Sequence, residues 1–344
     1  MRKYSVLDLF CGCGGLSLGF EMAGFDIKLA IDNWEDALVT YRKNHKGAQT
    51  LNADLLNLNP QEVELKYNIK DLDVIIGGPP CQGFSVAGKR IIDDDRNKLY
   101  KSFVRFVDHF RPKTFLMENV PNILSIGGGA IKDAILKDFT ELGYNVTYKV
   151  LIASDYGVPQ NRRRAIFVGQ LNGDNFKFPE KNVDKPVTTF EALSDLPECS
   201  VEDGNDYPNL PQSNYQIFIR NKAKKLYNHQ ITIHTADTQR IIAMVPDGEN
   251  YKCLPKELWS LRKVHIAWTR MNSQKPCFTI DTGHNHHFHY KFNRVPTVRE
   301  SARIQSFPDT FIFIGGKGSQ LRQVGNAVPP LMAKAIAEQI IYTI

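Results

Sequence analysis

The strongest constraint on this chain is an alternation. Short apolar runs at 5–10, 27–31, 72–76, 114–117, 146–152 and 165–168 are separated by segments with helical spacing. Leu99, Phe103, Val107 and Phe110 recur every three or four residues until Pro112 stops the pattern. Ile131, Ile135, Phe139 and Leu142 do the same before Gly143, a suitable C-terminal cap. Strands alternating with helices predict an α/β fold with a mostly parallel sheet. Ligands of such sheets sit beyond the carboxyl ends of the strands. Chemistry is therefore sought in the residues that directly follow the apolar runs.

From about residue 172 the alternation dissolves. The stretch to about 294 is rich in Asn, Pro, His and Lys and predicts a second, irregular domain with short strands such as 216–219 and 277–281. Order then returns with a helix at 297–305, and Pro329-Pro330 opens a last helix at 331–341. A chain of 344 residues exceeds one comfortable core. The expected division is a catalytic, cofactor-binding domain from 1–180 and 318–344, with 181–317 as the second domain and hinge. No repeat or low-complexity tract is visible.

Apolar residues make up 42% and charged residues 23%, which suits globular packing. No apolar run reaches membrane-span length, and the amino terminus meets Asp8 and glycines where a signal peptide would be apolar. The expectation is a soluble, cytoplasmic protein. Its net charge of +6 permits a polyanionic partner without requiring one. Six cysteines in such a chain read as core residues plus one reactive thiol, not as a disulfide framework.

The first run leads straight into Cys11-Gly12-Cys13-Gly14-Gly15, where small residues let a ligand approach the backbone at a strand-to-helix turn. The spacing departs from the dinucleotide fingerprint, and no phosphate-binding Lys-Ser/Thr ending follows. A nucleoside without a polyphosphate fits better. Asp32 ends the next run, where a carboxylate can accept both hydroxyls of a ribose. Asp54 is placed to accept from an adenine amino group. Both acids would serve equally well as helix caps. Phe10 is either a stacking partner for adenine or an ordinary core aromatic.

Cys81 follows the third run through Gly77-Gly78-Pro79-Pro80, so its sulfur is expected at the sheet's carboxyl edge beside small and rigid residues. Glu118 ends the run 114–117. A carboxylate there is costly to bury unless protonated or paired, and a raised pKa would suit proton donation to a ring nitrogen. Arg162-Arg163-Arg164 precede the last run. Three arginines form either a solvated turn or a grip on a carbonyl oxygen and phosphates.

Taken in order, these segments carry a family likeness. Asp8-Leu9-Phe10-x-Gly12-x-Gly14-Gly15, Pro79-Pro80-Cys81-Gln82, Glu118-Asn119-Val120 and Gln160-x-Arg162-x-Arg164 resemble the ordered motifs of C5-cytosine-specific DNA methyltransferases of the bacterial restriction–modification type. Residues 299–308 and 323–329 resemble the family's last two motifs. The resemblance implies a Rossmann-like, S-adenosylmethionine-dependent domain plus a smaller target-recognition domain. By position, Phe10, Gly12, Gly15, Asp32, Asn33, Asp54, Leu55, Pro80, Leu99 and Asn326 match the family's cofactor site. Cys81, Glu118, Arg162 and Arg164 match its catalytic residues. Cys11 and Cys13 occupy variable places, and Asp32 stands where many members carry Glu; either acid holds ribose hydroxyls.

The implied reaction is methyl transfer to C5 of a flipped-out cytosine in a short double-stranded DNA site, through a Cys81–C6 adduct. Gln82, Ser85 and Arg96 fall in the loop that closes on DNA. Arg270 and Thr279-Ile280, the latter like the family's Thr-Leu recognition pair, are expected to meet DNA. The cluster His284, His286, His287 and His289 reads as a DNA-facing strand or loop in preference to a metal site. The run Arg220-Asn221-Lys222-Ala223-Lys224-Lys225 reads as a solvated helix face. The remaining expectations are a monomer, no membrane, a bacterial cytoplasm with nucleoid association through DNA, and a cognate endonuclease as functional partner. Two alternatives stay open: a transfer RNA substrate, and a catalytically silent DNA-binding relative.

Overall fold

The computed structural model describes residues 3–80, 98–261, 268–282 and 287–344. Its elements fall into two compact units. The first comprises Met1–Ile152, Arg163–Lys181 and Pro330–Ile344; the second, Ala153–Arg162 and Asn182–Pro329. The second unit thus takes in 153–162 and 318–329, which the expected boundaries gave to the catalytic domain.

The first unit is built on seven strands: β1 (Ser5–Leu9), β2 (Asp26–Asp32), β3 (Gln49–Asn52), β4 (Val74–Gly77), β5 (Thr114–Asn119), β6 (Tyr144–Ile152) and β7 (Arg163–Leu171). They lie in the order β3-β2-β1-β4-β5-β7-β6. The pairs β1–β2, β2–β3, β1–β4 and β4–β5 are parallel. β7 runs antiparallel to both β5 and β6. β1 is buried from end to end, as expected of a strand covered on both faces.

Helices α1 (Gly15–Met22), α2 (Glu35–Asn44), α3 (Pro60–Tyr67), α4 (Lys98–Phe110) and α5 (Ala130–Glu141) supply the crossovers. Phe103, Phe106, Phe115, Phe139 and Phe167 pack with Leu7, Leu29 and Ile75 into the core between helices and sheet. β1 pairs with β2 on one side and β4 on the other, so the chain reverses its direction of progress there. The carboxyl ends of β1 and β4 mark this switch point, where α/β sheets place their ligands.

The second unit contains α6 (Thr189–Leu193), α7 (Asn214–Arg220), α8 (Ala236–Ala243), α9 (Val298–Ile304) and α10 (Lys317–Asn326). Its described strands are two-residue pairs, β8 (Asn205–Asp206) with β9 (Lys225–Leu226) and β10 (Thr269–Arg270) with β11 (His287–Phe288). The strand expected at 216–219 is helical instead. Ser213 caps α7 by accepting from the Gln216 N–H, and Tyr215 and Ile219, four residues apart, share its buried face. The run after Arg220 lies beyond that helix, with Arg220 itself buried on Asp195. Residues 277–281 form no strand; a single bridge joins Gln160 to Cys277. The last helix, α11 (Pro330–Ile341), returns to the first unit.

A candidate cofactor turn and an acid–arginine pair

The turn after β1 is held in an uncommon conformation. Phe10 adopts φ +59°, Gly12 +54° and Gly14 +94°. A bulky residue in the left-handed region is strained, and such residues cluster at functional sites. Space beside Gly12 is open, whereas a Cβ on Gly14 would collide with the His45 ring. Asp32, half-buried at the end of β2, accepts the Gly12 N–H at 2.8 Å through Oδ2 and the Trp34 N–H at 2.9 Å through Oδ1. Burial raises its pKa against those donated N–H groups. The acid shapes the glycine turn and remains at the strand end where a ribose would come.

The other expected cofactor positions differ in exposure. Asn33 is exposed just past β2, and Gly15 is buried at the start of α1. Asp54 accepts the Leu56 N–H at 3.0 Å, forming a local turn after β3. Leu55 points into the apolar core, and its carbonyl accepts Arg105 at 2.6 Å. Its side chain therefore packs in the core. Pro80 is exposed, and Leu99 is half-buried in the first turn of α4. Asn326 is exposed at the end of α10, in the second unit.

Asp8 was read only as a motif letter, yet it lies fully buried in β1. Ser17 donates to its Oδ2 at 2.5 Å, and Tyr41 donates to Ser17 at 2.8 Å. Burial lifts the Asp8 pKa to about 8. A neutral acid thus ties β1, α1 and α2 together beneath the glycine turn.

The acid expected for catalysis is paired. Glu118 on β5 and Arg164 on β7 meet through Oε1 and Nε at 2.6 Å, with side chains only 12% and 13% exposed. The antiparallel β5–β7 pairing brings the two strands together. Pairing with a guanidinium offsets the cost of enclosing a carboxylate. The second oxygen, Oε2, faces Gly78: a Cβ there would stand 2.9 Å from it. Gly78 therefore leaves room for the acid itself.

Asn119 is a residue that the sequence reading passed over. Buried beside Glu118, it donates from Nδ2 to the Pro79 carbonyl at 2.9 Å and accepts the Val120 N–H at 2.9 Å. This side chain ties the acid's strand to the Pro79-Pro80 turn. Its place in Glu118-Asn119-Val120 was the available signal, but adjacency alone did not disclose the partner.

Two arginines named from the sequence are held inside the second unit. Arg162 is 1% exposed, and its guanidinium donates to the carbonyls of Ile280 at 3.0 Å and Gly325 at 2.8 Å. All three belong to the second unit, so Arg162 holds backbone in this structure. Arg270, 4% exposed, spends its donors on the carbonyls of Val245, His289, Phe292 and Ile242 and on Asn293 Oδ1. It holds irregular backbone of the second unit together.

Thr279 is half-buried between Cys277 and Ile280. His289 is buried, and its Nδ1 accepts the N–H groups of Lys291 and Phe292 at 3.1 Å each. Burial lowers its pKa to about 3. The His287 and Phe278 rings meet at a tilt, with centroids 4.2 Å apart. Among the described residues no group of three or more His, Cys, Asp or Glu side chains is arranged to hold a metal. Burial raises the thiol pKa values of Cys11, Cys13 and Cys277, that of Cys13 to about 12. Cys81, Gln82, Ser85, Arg96, His284 and His286 lie outside the described residues. No helix among the described residues is long and apolar enough to cross a membrane.

Comparison with known proteins matches this geometry to one family. The sequence pattern described as C-5 cytosine-specific DNA methylase matches residues 4–342. Type II methyltransferase M.DdeI of Desulfomicrobium norvegicum is 41% identical, the match covering 98% of this chain and 88% of that protein. Type II methyltransferase M1.HphI of Haemophilus parahaemolyticus is 38% identical, over 98% and 86%. A prophage-encoded Escherichia coli protein, described as a DNA modification methyltransferase, superposes with a TM-score of 0.83 at 29% identity over 99% of both chains. DNMT2 of Spodoptera frugiperda shares the fold at a TM-score of 0.59 and 18% identity, over 98% and 99%.

Proposed function

We propose, from the premise that this chain belongs to the C-5 cytosine-specific DNA methylase family, that Cys81 is its nucleophile and Glu118 its acid. The observation that carries the reading is the Glu118–Arg164 pair, with the second Glu118 oxygen turned toward Gly78, three residues before Cys81. Family membership establishes methylation of cytosine at C5 in DNA. The roles of individual residues are our assignment.

Cytosine C5 is a poor nucleophile. Addition of the Cys81 thiolate to C6 makes a carbon–sulfur bond, and Glu118 delivers a proton to N3 to offset the charge that enters the ring. Arg164 holds Glu118 in place and lends positive charge to the same edge of the base. C5 thereby becomes an enamine carbon able to take a methyl group. A base, water in our reading, then removes the C5 proton, the electrons of that bond expel Cys81, and the N3 proton returns to Glu118. The cytosine must leave the duplex to reach these groups.

The family's methyl donor is S-adenosylmethionine, and the turn after β1 suits it. The open space at Gly12, the strained Phe10 and the half-buried Asp32 form a cradle for a nucleoside. When bound there, S-adenosylmethionine supplies an electrophilic methyl group on a sulfonium. Asp32 would hold its ribose and Asp54 its adenine. Asn33, Pro80, Leu99 and Asn326 stay assigned to the same ligand through the family pattern. Gln82, Ser85, Arg96 and Thr279 are assigned to double-stranded DNA. The names of the relatives support a type II modification role. A bacterial cytoplasm, a monomeric enzyme and a cognate endonuclease belong to our reading.

Labelled methyl transfer to DNA and to RNA tests the reading, with Cys81→Ser as control. Label should enter DNA with the wild type and vanish with Cys81→Ser; incorporation into RNA alone refutes it. DNA carrying 5-fluorocytosine at the site should trap a covalent adduct that Cys81→Ser does not form. Glu118→Gln should slow methylation by at least ~10²-fold. Bisulfite sequencing of DNA methylated by the wild type identifies the site.

A further inference from the structure

One motif of the sequence grips a single residue of the second unit through two side chains, and that residue is not in the chemistry. Ile280 has both backbone groups satisfied by side chains. Gln160 Oε1 accepts its N–H at 2.9 Å, and Arg162 Nη1 donates to its carbonyl at 3.0 Å. Three residues earlier the same two segments pair through their backbones. Cys277 N–H donates to the Pro159 carbonyl at 2.9 Å, and Asn161 N–H donates to the Cys277 carbonyl at 2.8 Å.

The clamp is itself braced. Gln160 Nε2 donates to Ile304 O at 3.2 Å and to Gln305 Oε1 at 3.0 Å. Gln305 Nε2 donates to Val324 O at 2.9 Å, and Arg162 Nη2 reaches Gly325 O at 2.8 Å. Gly325 lies so close that a Cβ there would stand 2.5 Å from the Asp281 carbonyl. Gln160, Arg162 and Gln305 are buried.

We infer that Gln160 and Arg162 are positioning residues for DNA recognition, fixing Thr279 by clamping both backbone groups of Ile280. Residues 278–280 leave the bridge at Cys277 and have no ladder to hold them. An irregular segment of this kind takes its shape from whatever satisfies its N–H and C=O groups. Here those partners are two fork-like side chains separated by one residue. A rotation of Ile280 would break both contacts together, so Thr279 presents one face only. The sequence pattern made Arg162 a partner of Arg164; the hydrogen bonds give it to the reader of the base sequence. This inference rests on the assignment of Thr279 to DNA.

A double-mutant cycle tests it, with Gln160→Ala, Thr279→Ala and the double variant. Each is assayed on a duplex bearing the site found by bisulfite sequencing and on duplexes with one base pair changed. Gln160→Ala should lower kcat/KM on the site about tenfold and narrow the preference over the altered duplexes, with the KM for S-adenosylmethionine unchanged. The double variant should be no worse than the poorer single variant. Multiplying losses would overturn the inference, since Gln160 would then act independently of Thr279. So would a lowered melting temperature with site preference intact, the mark of a merely structural role. An unaltered Thr279→Ala enzyme would instead remove the DNA assignment of Thr279, and the inference with it. Should Gln160→Ala fail to fold, Gln160→Met, close in volume and without a hydrogen-bonding group, takes its place in the cycle.

Discussion

The two units solve one problem, the satisfaction of buried backbone polar groups, in opposite ways. In the first unit a seven-stranded ladder pairs N–H with C=O, and phenylalanines and aliphatic residues fill the space between sheet and helices. In the second, described strands are two residues long, and buried arginines take the place of the ladder. Arg299 donates to the carbonyls of Tyr227, Pro308 and Phe311. Arg270 donates to four carbonyls, and Arg303 bridges Asp195 and Asp309. A guanidinium offers five donors in a rigid fork and never loses its charge, so it can hold carbonyls that irregular chain leaves scattered. The lesson is one of tolerance: a ladder distributes its load, whereas a fork concentrates it.

The largest break in this comparison should come from Arg303→Met. It leaves Asp195 and Asp309 buried without that partner, at a cost of ~3–5 kcal/mol. Hydrogen exchange resolved by residue should show amides of the second unit losing protection while those of the sheet keep theirs. Equal loss in both units would show that the two ways of holding backbone are not independent.

Asp8→Asn sharpens the comparison from the other side, since Asp8 is a buried carboxyl of the first unit. Its folded pKa of about 8 lies above the ordinary carboxyl value, so folding favours the protonated form. Stability from this group is present in full at low pH and falls as pH rises from about 4 to about 8, by up to ~1.4 kcal/mol per pH unit. The amide that replaces the carboxyl does not ionise over this range. The variant should melt higher than the wild type at pH 7.5 and converge with it near pH 4. A constant offset across that range would show that Asp8 is ionised when folded.

Smaller effects test the apolar core and the surface. Ile75→Val in β4 should cost about 0.5–1.5 kcal/mol, read as faster exchange of neighbouring strand amides. Lys137→Ala removes the exposed pair with Glu141, 3.7 Å long, and should change stability by no more than ~0.5 kcal/mol. A larger change would mean that this helix surface is coupled to the core.

Legibility followed the same division. The runs at 114–117 and 165–168 fall within β5 and β7, because strands buried in a covered sheet must be continuously apolar. The glycine turn, Asp32 and Glu118 were found because each directly follows such a run. The run at 216–219 misled, since four residues cannot separate a strand from one turn of a helix whose buried positions lie four apart. The partners of Arg270 were hidden for a related reason: an arginine in an irregular stretch looks the same whether it faces a phosphate or a carbonyl. Leu55 was matched by position to a cofactor site, yet burial claims its side chain.

By itself the sequence determined the α/β class, the family and the positions of the chemical groups at strand ends, because these follow from local periodicity and from short motifs in order. Only the tertiary structure decided which partner each buried polar group has. Glu118 received Arg164, Asp8 received Ser17 and Arg162 received Ile280 and Gly325. Those choices depend on contacts between residues as far as 163 positions apart, and hydrogen-bond geometry at that range is set by packing and not by neighbours in the chain.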